Sequence, residues 1–518
     1  MAHTRHSLFR QLSAQDWDGF LKGVEKEGLR VDGQGFIAQT PHPDALGSAL
    51  THPRITTDYS EALLELITPV CQSTDEVLAS LRDIHRFVQQ NLGDEVFWAA
   101  SMPCEIDGDP SIPIARYGSS NIGQLKHVYR QGLAVRYGRV MQSIAGAHYN
   151  LSLPDSFWQR WQALVGDTGP LQDFKSDQYF WLIRNFRRRS WLLMLLFGAS
   201  PALDASFVAN VDHGLTRFDD RTWYGEYATS LRMGDLGYHN NAQSSLNICF
   251  NELSTYTRTL DKAIHTNWPA YEKIGTRRGD EFIQINTNVL QIENEYYSAL
   301  RPKRTTERGE KPTQALDARG VEYIEVRCLD LDPFSPVGVS REQMNFLDLF
   351  LLDCLLQDSP RINDAECDRL DDNYKDVVSR GRWKELTLCR AGSRVAMSDA
   401  AKALFDELAP LAQLLDGWNG NQDYAEALAH QQAKLQGSDW SVPSARVLDA
   451  MSASGLGHRD WVMAMSREHQ QQLRREDLAP EVLADYQTMA SNSLAEQRAM
   501  EATETQPFAE FLADYLKA

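Results

Sequence analysis

Apolar and polar positions follow two different periods along the chain, and the change of period marks its organisation. Residues 145–153 alternate strictly, setting His148, Asn150 and Ser152 on one face against Ala147, Tyr149 and Leu151 on the other. Residues 23–40 read as a hairpin: an alternating strand, an Asp32-Gly33 turn, then Phe36, Ile37 and Ala38. Gln284–Asn294 and Glu322–Leu329 read as further strands. The run from Ala62 to Thr68 fits helix or strand by period; its compactness and the Thr-Pro that ends it favour a strand. Helical spacing appears at 74–92, where Val77, Leu81, Ile84 and Val88 share a face behind a Thr74 or Asp75 cap. From about residue 395 it takes over, as in Ala401, Leu404, Phe405, Leu408, Leu411 and Leu415. A sheet-based region over 1–390 and a helical region over 391–518 are expected. No Pro/Gly linker separates them, so the two are expected to pack as one body.

Composition narrows the class. The 518 residues are 42% hydrophobic and 24% charged, ordinary for a soluble globular protein with a large core. A net charge of −19 opposes binding to nucleic acid or to an anionic membrane surface. Seven scattered cysteines form no CxxC pair, which fits reduced thiols in a cytoplasm rather than a disulfide frame or zinc site. The N-terminus has no signal-peptide core. The longest apolar run, Trp191–Leu203, is too short to span a bilayer and reads as a buried helix end. A cytoplasmic location is expected.

The candidate chemistry lies in carboxylates on strand-like segments. Glu25 and Glu27 stand two apart, as do Glu325 and Arg327, and side chains at that spacing share a face about 7 Å apart. A solvated face of alternating charge gives the same local pattern. Two features weigh against it: Asp58, Glu61 and Glu65 crowd one short segment, and Glu325 sits between Ile324 and Val326. A carboxylate in such apolar surroundings is costly unless paired or bound to metal. Hard divalent ions such as Mg²⁺ relieve the repulsion and bring phosphates with them. Arg327 beside Glu325 reads as an internal ion pair or as a guanidinium that grips phosphate or carboxylate oxygens. A lone strand histidine is usually a satisfied core residue, but His148 shares its face with Asn150 and Ser152, with Gln142 just before, as in the wall of a polar cavity. Arg301, Lys303 and Arg304 form a surface turn or an anion-binding loop. Arg232 with Tyr238 could clamp an α-carboxylate. The chain has no GxxxxGK[ST] loop, GxGxxG fingerprint, HExxH or GxSxG motif, so ATP would sit on a metal-lined sheet.

These segments, with Pro43–His52, Tyr117–Asn121, Leu196–Pro201, Gln284–Glu295 and Arg301–Arg304, resemble the bacterial type 1 glutamate–cysteine ligases (γ-glutamylcysteine synthetases). The resemblance runs from about residue 15 to the C-terminus and is densest up to residue 345. It implies an α+β fold: a curled, mostly antiparallel catalytic sheet of the glutamine-synthetase-like type, surrounded by helices. It implies that ATP, L-glutamate and L-cysteine yield γ-glutamylcysteine, ADP and phosphate through a γ-glutamyl phosphate, the first step of glutathione biosynthesis, with Mg²⁺ or Mn²⁺ as cofactor. It assigns Glu25, Glu27, Asp58, Glu65, His148 and Glu325 to metal, with Glu27, Glu325 and Arg327 catalytic. Arg327 would also bridge phosphate and substrate. Tyr59, Tyr129, Gln142, Asn150, Arg232, Tyr238 and Tyr297 would line the amino-acid pockets, and Arg301, Lys303 and Arg304 would meet nucleotide. Glutathione would be a feedback inhibitor. Tyr59 replaces the phenylalanine expected after Asp58 and adds a hydroxyl near the cysteine pocket. A ligase for another amine acceptor shares the fold and differs in the pocket of Tyr59, Tyr129, Tyr238 and Tyr297. A non-catalytic Ca²⁺-binding protein would show no ATP turnover and leave Arg327 without a role.

Overall fold

In the computed structural model, which describes residues 4–236, 242, 246, 248–307 and 309–517, seven strands join into one sheet. They are β1 (Leu21–Val31), β2 (Ile55–Thr57), β3 (Leu63–Ile67), β4 (Val96–Phe97), β5 (Ala147–Ser152), β6 (Leu300–Lys303) and β7 (Tyr323–Leu329). The order is β6-β7-β5-β1-β3-β2, with β4 also on β1, and every pairing is antiparallel. The ambiguous 62–68 run is therefore strand, as its Thr-Pro ending favours.

The strand period sorts β1 into two faces. Glu25 and Glu27 point one way; Lys22, Val24 and Lys26 point into the packed core. The two lysines are accommodated there by specific partners. Lys22 pairs with the fully buried Asp348, which also accepts a 2.5 Å bond from the Tyr149 hydroxyl. The Lys26 ammonium lies 3.8 Å from the centroid of the Phe97 ring, and burial draws its pKa down to about 7.

Helix α1 (Thr74–Asn91) covers this core side with Val77, Leu81, Ile84 and Val88 buried. Its cap is Ser73, one residue before the expected position, whose hydroxyl accepts from the Glu76 amide at 3.2 Å. The 191–203 run opens with a short helix, Trp191–Phe197, buried on all sides. Among the described residues no helix is long and apolar enough to cross a membrane. The helix Met397–Asn419 buries the face Ala401, Leu404, Phe405, Leu408, Leu411 and Leu415. One contiguous core cluster runs from Phe9 to Met463.

One strand expectation fails and another is met only in short form. Over Gln284–Asn294 no ladder forms beyond an isolated bridge at Asn288. Side-chain amides take the backbone partners instead: Gln291 accepts from the Ile285 amide at 3.1 Å, and Asn286 donates to the Gln291 carbonyl at 3.0 Å. Arg136 also donates to the Asn286 carbonyl. The 23–40 hairpin shrinks to a bridge between Val31 and Ile37, because the Asp32 carboxylate accepts from the Gln34 and Phe36 amides and closes the turn locally.

Candidate active site

Strand register builds the site. Glu25 pairs with His148, Glu27 with Glu65, and Glu325 with Asn150, so side chains from four neighbouring strands meet on one face. His148 stands at the centre: Nδ1 is 3.3 Å from Glu25 and 3.6 Å from Glu325, and Nε2 is 3.5 Å from Glu27. Asn150 donates to Glu25 at 2.9 Å, and the Gly146 amide donates to Glu27 at 2.7 Å. Lys303, from the edge strand β6, reaches Glu325 at 3.4 Å.

Crowding divides the carboxylates electrostatically. Burial and the charges of Glu25, Asp58, Glu27 and Glu325 push Glu65 well above the usual carboxylate range. Burial also raises Glu27, with Asp58 adding to it. Burial would raise Glu325 too, but Lys303, Arg327 and His148 outweigh it and hold it far below. Glu25 follows the same logic through its bond to His148. One ligand atom each from Glu25, Glu65 and His148 lie within 4.8 Å of one another, close enough to hold a metal ion.

Arg327 lies on an irregularity of β7. Val326 pairs with Tyr149 but Leu329 with Ala147, so one extra residue is accommodated between them. The bulge leaves the Arg327 guanidinium 3.5 Å from Glu325 with its Nε unpartnered among the described residues. Its backbone carbonyl accepts from Arg232 at 3.1 Å. That approach requires glycine at 146, since a Cβ there would lie 2.1 Å from the Arg232 guanidinium.

Beside this face opens a cavity of about 150 Å³, lined by Glu27, Asp58, Tyr59, Tyr129, Gln142 and Arg327 among others. Tyr297 is at its rim, 39% exposed, with its hydroxyl on the Met233 sulfur. Arg232 reaches the site from behind Arg327 and does not line the cavity. Tyr238 lies outside the described residues. A second cavity, about 310 Å³, is lined by Arg301, Lys303, Arg304, Tyr256 and Tyr323. Arg301 and Asn294 belong to both walls, so the two cavities meet there. Arg304 turns its guanidinium to the Arg319 carbonyl at 2.9 Å.

Sequence reading missed Arg130, Leu133, Tyr137, Asn294 and Glu295 in the first cavity's wall. The signal for three of them was present. Tyr129, Leu133 and Tyr137 recur every four residues on the helix Asn121–Tyr137, with Arg130 beside them. Glu295 is held by Arg136 at 3.0 Å and by the Tyr137 hydroxyl at 2.5 Å.

Known proteins share this architecture. The family described as glutamate–cysteine ligase matches residues 6–377. The glutamate–cysteine ligase of Hahella chejuensis is 55% identical over 96% of this chain and 95% of its own. That of Pseudomonas paraeruginosa is 52% identical over 96% and 94%. The crystal structure of glutamate–cysteine ligase from Francisella tularensis, in complex with AMP, superposes with a TM-score of 0.90 at 37% identity, covering 96% of this chain and 98% of that one. The chain belongs to the glutamate–cysteine ligase family, and so is an ATP-consuming ligase that makes γ-glutamylcysteine, the first step of glutathione biosynthesis.

Proposed function

We propose that the carboxylate face of the central sheet is where the γ-carboxyl of glutamate is phosphorylated, and that the cavity beside it holds the amino acids. The observation that carries this reading is Glu65. A carboxyl pushed up by burial and then by four neighbouring carboxylates is in a site that favours a cation. Glu25, Glu27, Asp58, Glu65, His148 and Glu325 would hold Mg²⁺, or Mn²⁺ in its place, since an oxygen-rich set suits both. A bound ion would neutralise phosphate oxygens and polarise the transferring group.

The chain's own residues do the rest. Arg327 lines the cavity beside the sheet face, where its guanidinium would meet oxygens whose charge changes during transfer. Glu325 holds it in place. Arg232 fixes the backbone beneath Arg327. Tyr59, Tyr129, Gln142 and Tyr297 surround the acceptor and keep water from the acyl phosphate. ATP sits in the second cavity with its phosphates toward Arg301 and Lys303; the AMP complex of the Francisella relative supports a nucleotide site. Glutathione carries both the glutamyl and cysteinyl parts of the product, so it should compete with glutamate.

The test is ADP release with Mg²⁺ present. Glutamate alone should give slow release, and cysteine should accelerate it. ATP hydrolysis indifferent to both amino acids would overturn the assignment. An unchanged KM for glutamate at rising glutathione would remove the inhibitor from the scheme.

A further inference from the structure

A larger cavity, about 620 Å³, opens far from this chemistry, between the N-terminal segment, the helix Leu171–Arg189, the helix Asp364–Arg380 and the hairpin Thr387–Arg390/Ser393–Ala396. In a chain of net charge −19 its wall is cationic: five arginines against Asp358 and Glu366. Three of the five are engaged. Arg188 pairs with Glu366 at 2.7 Å, and Arg189 with Asp353 and with Glu407. Arg5 lies over the Trp181 ring and donates to the Leu355 carbonyl, and burial lowers its pKa to about 10 despite Asp358. Arg369 and Arg390 remain. Both are half-buried, and neither makes an ion pair or side-chain hydrogen bond among the described residues.

Two arginines without an ion pair among the described residues line one cavity, with Leu356 and Leu370 in the same wall, and these define the ligand's chemistry. Each fork matches the two oxygens of a carboxylate or phosphate. The volume suits a metabolite-sized molecule rather than a bare ion. The wall is also firmly built. Asn373 clasps the hairpin through both amide atoms, at 2.9 and 2.8 Å to Cys389. The turn after Arg390 holds Ala391 at a φ of 48° and Gly392 at 82°, a left-handed pair that fixes where the strand ends.

The helix bearing Arg369 leads to the active site. Its far end offers the Val377 and Val378 carbonyls to Thr229 and Ser230. Ser230 donates to Asp330 at 3.0 Å, Asp330 faces Arg232, and Arg232 holds the Arg327 carbonyl. On the same helix the Tyr374 hydroxyl bonds to the Met194 sulfur, and Tyr374 lies close to Cys328, the neighbour of Arg327. We propose that this cavity is a regulatory site for an organic dianion, a dicarboxylate or phosphate monoester, gripped by Arg369 and Arg390 and read at Arg327 through the helix Asp364–Arg380. The coupling half rests on the role given to Arg327 above; the binding half does not.

Titration calorimetry in metal-chelating buffer tests the binding, with succinate and glycerol 2-phosphate as separate probes. At least one should bind to the whole protein at one equivalent. Arg369→Gln/Arg390→Gln should weaken it by about tenfold or more, while Arg301→Gln leaves it intact. Lysine at both positions, which keeps the charge, should restore part of the affinity and guards against misfolding as the cause. Failure of both probes to bind, or binding lost in Arg301→Gln alone, would overturn the site. The bound probe should also shift the KM for glutamate or cysteine, and that shift should vanish in the double glutamine variant. Binding with unchanged kinetics would overturn the coupling.

Discussion

Replacing Glu65 by glutamine should have opposite effects with and without metal. Without metal, Glu65 is a liability. Its backbone is paired directly with that of Glu27, which sets the two Cβ atoms about 5 Å apart and the carboxylates at a similar order of distance. At an effective dielectric of 20, two such charges repel by about 3 kcal/mol, and water reaching a half-buried group reduces this to about 1–2 kcal/mol. The sign with pH follows from the raised value. A carboxyl whose folded pKa lies above its unfolded one keeps its full contribution below the unfolded value, near about 4.3. The contribution is lost as pH rises through the folded value. Glu27 is raised too and acts in the same sense. Metal-free wild type should therefore lose stability between about pH 5 and pH 8, and Glu65→Gln should lose less. Added Mg²⁺ should restore wild type by binding the folded state alone and should restore the variant far less. Thermal midpoints of both proteins at the two pH values, with chelator and with Mg²⁺, give the answer. A variant less stable than wild type in chelator at pH 8 would refute the reasoning, because Glu65 would then be a structural partner rather than a crowded ligand.

Other expectations concern single groups. Arg327→Lys keeps the charge but loses the fork, so kcat should fall by the equivalent of about 2.7–4 kcal/mol, and raising Mg²⁺ should not restore it; near-normal turnover would contradict its placement. The Tyr59 hydroxyl is buried with no partner among the described residues, so Tyr59→Phe should raise stability in chelator by about 1 kcal/mol, measured by urea unfolding, and a loss would mean the hydroxyl is satisfied. Cys328 is fully buried, and burial pushes its thiol up to about 12, so it is no nucleophile; Cys328→Ser should retain most of the turnover in a coupled ADP assay.

Period and register explain why so much of the site could be read in advance. A strand's two-residue period is local, so Glu25, Glu27, His148 and Asn150 could be set on faces from their neighbours alone. Which faces oppose each other is not local. That Glu27 meets Glu65, and that Lys303 reaches Glu325 from the edge, depends on the order of strands far apart in sequence. The 284–294 segment shows the limit from the other side: it reads as a strand, but the side-chain amides of Gln284, Asn286 and Gln291 take the backbone partners a ladder would need. Where side chains carry their own donors and acceptors, the hydrophobic period no longer decides the backbone.

The bulge at Arg327 joins these two lessons. Strict alternation from Glu325 puts Arg327 on the metal face and Cys328 behind it, yet the register slips by one residue at this point. A slip normally transfers every later side chain to the other face. Here Leu329 takes Ala147, the partner that unbroken register would give Cys328, so Leu329 turns to the core side with Ala147. The strand is thus regular where it supplies Glu325 and irregular where it supplies the arginine. The Arg327 amide bonds to the Ala299 carbonyl at 2.8 Å and its carbonyl to Arg232, so the distorted backbone is held from both sides. A group meant to follow charge as it moves between phosphate and carboxylate needs a fixed backbone beneath a guanidinium that Glu325 orients from one side. Removing the clamp at its base is therefore the sharpest probe of the arrangement. Arg232→Met should cost more turnover than Mg²⁺ affinity and lower kcat more than it raises KM for ATP, since Arg232 bonds to the Arg327 backbone but reaches Glu27 only through its charge. Equal loss of Mg²⁺ affinity would show that Arg232 supports the whole sheet face rather than the bulge.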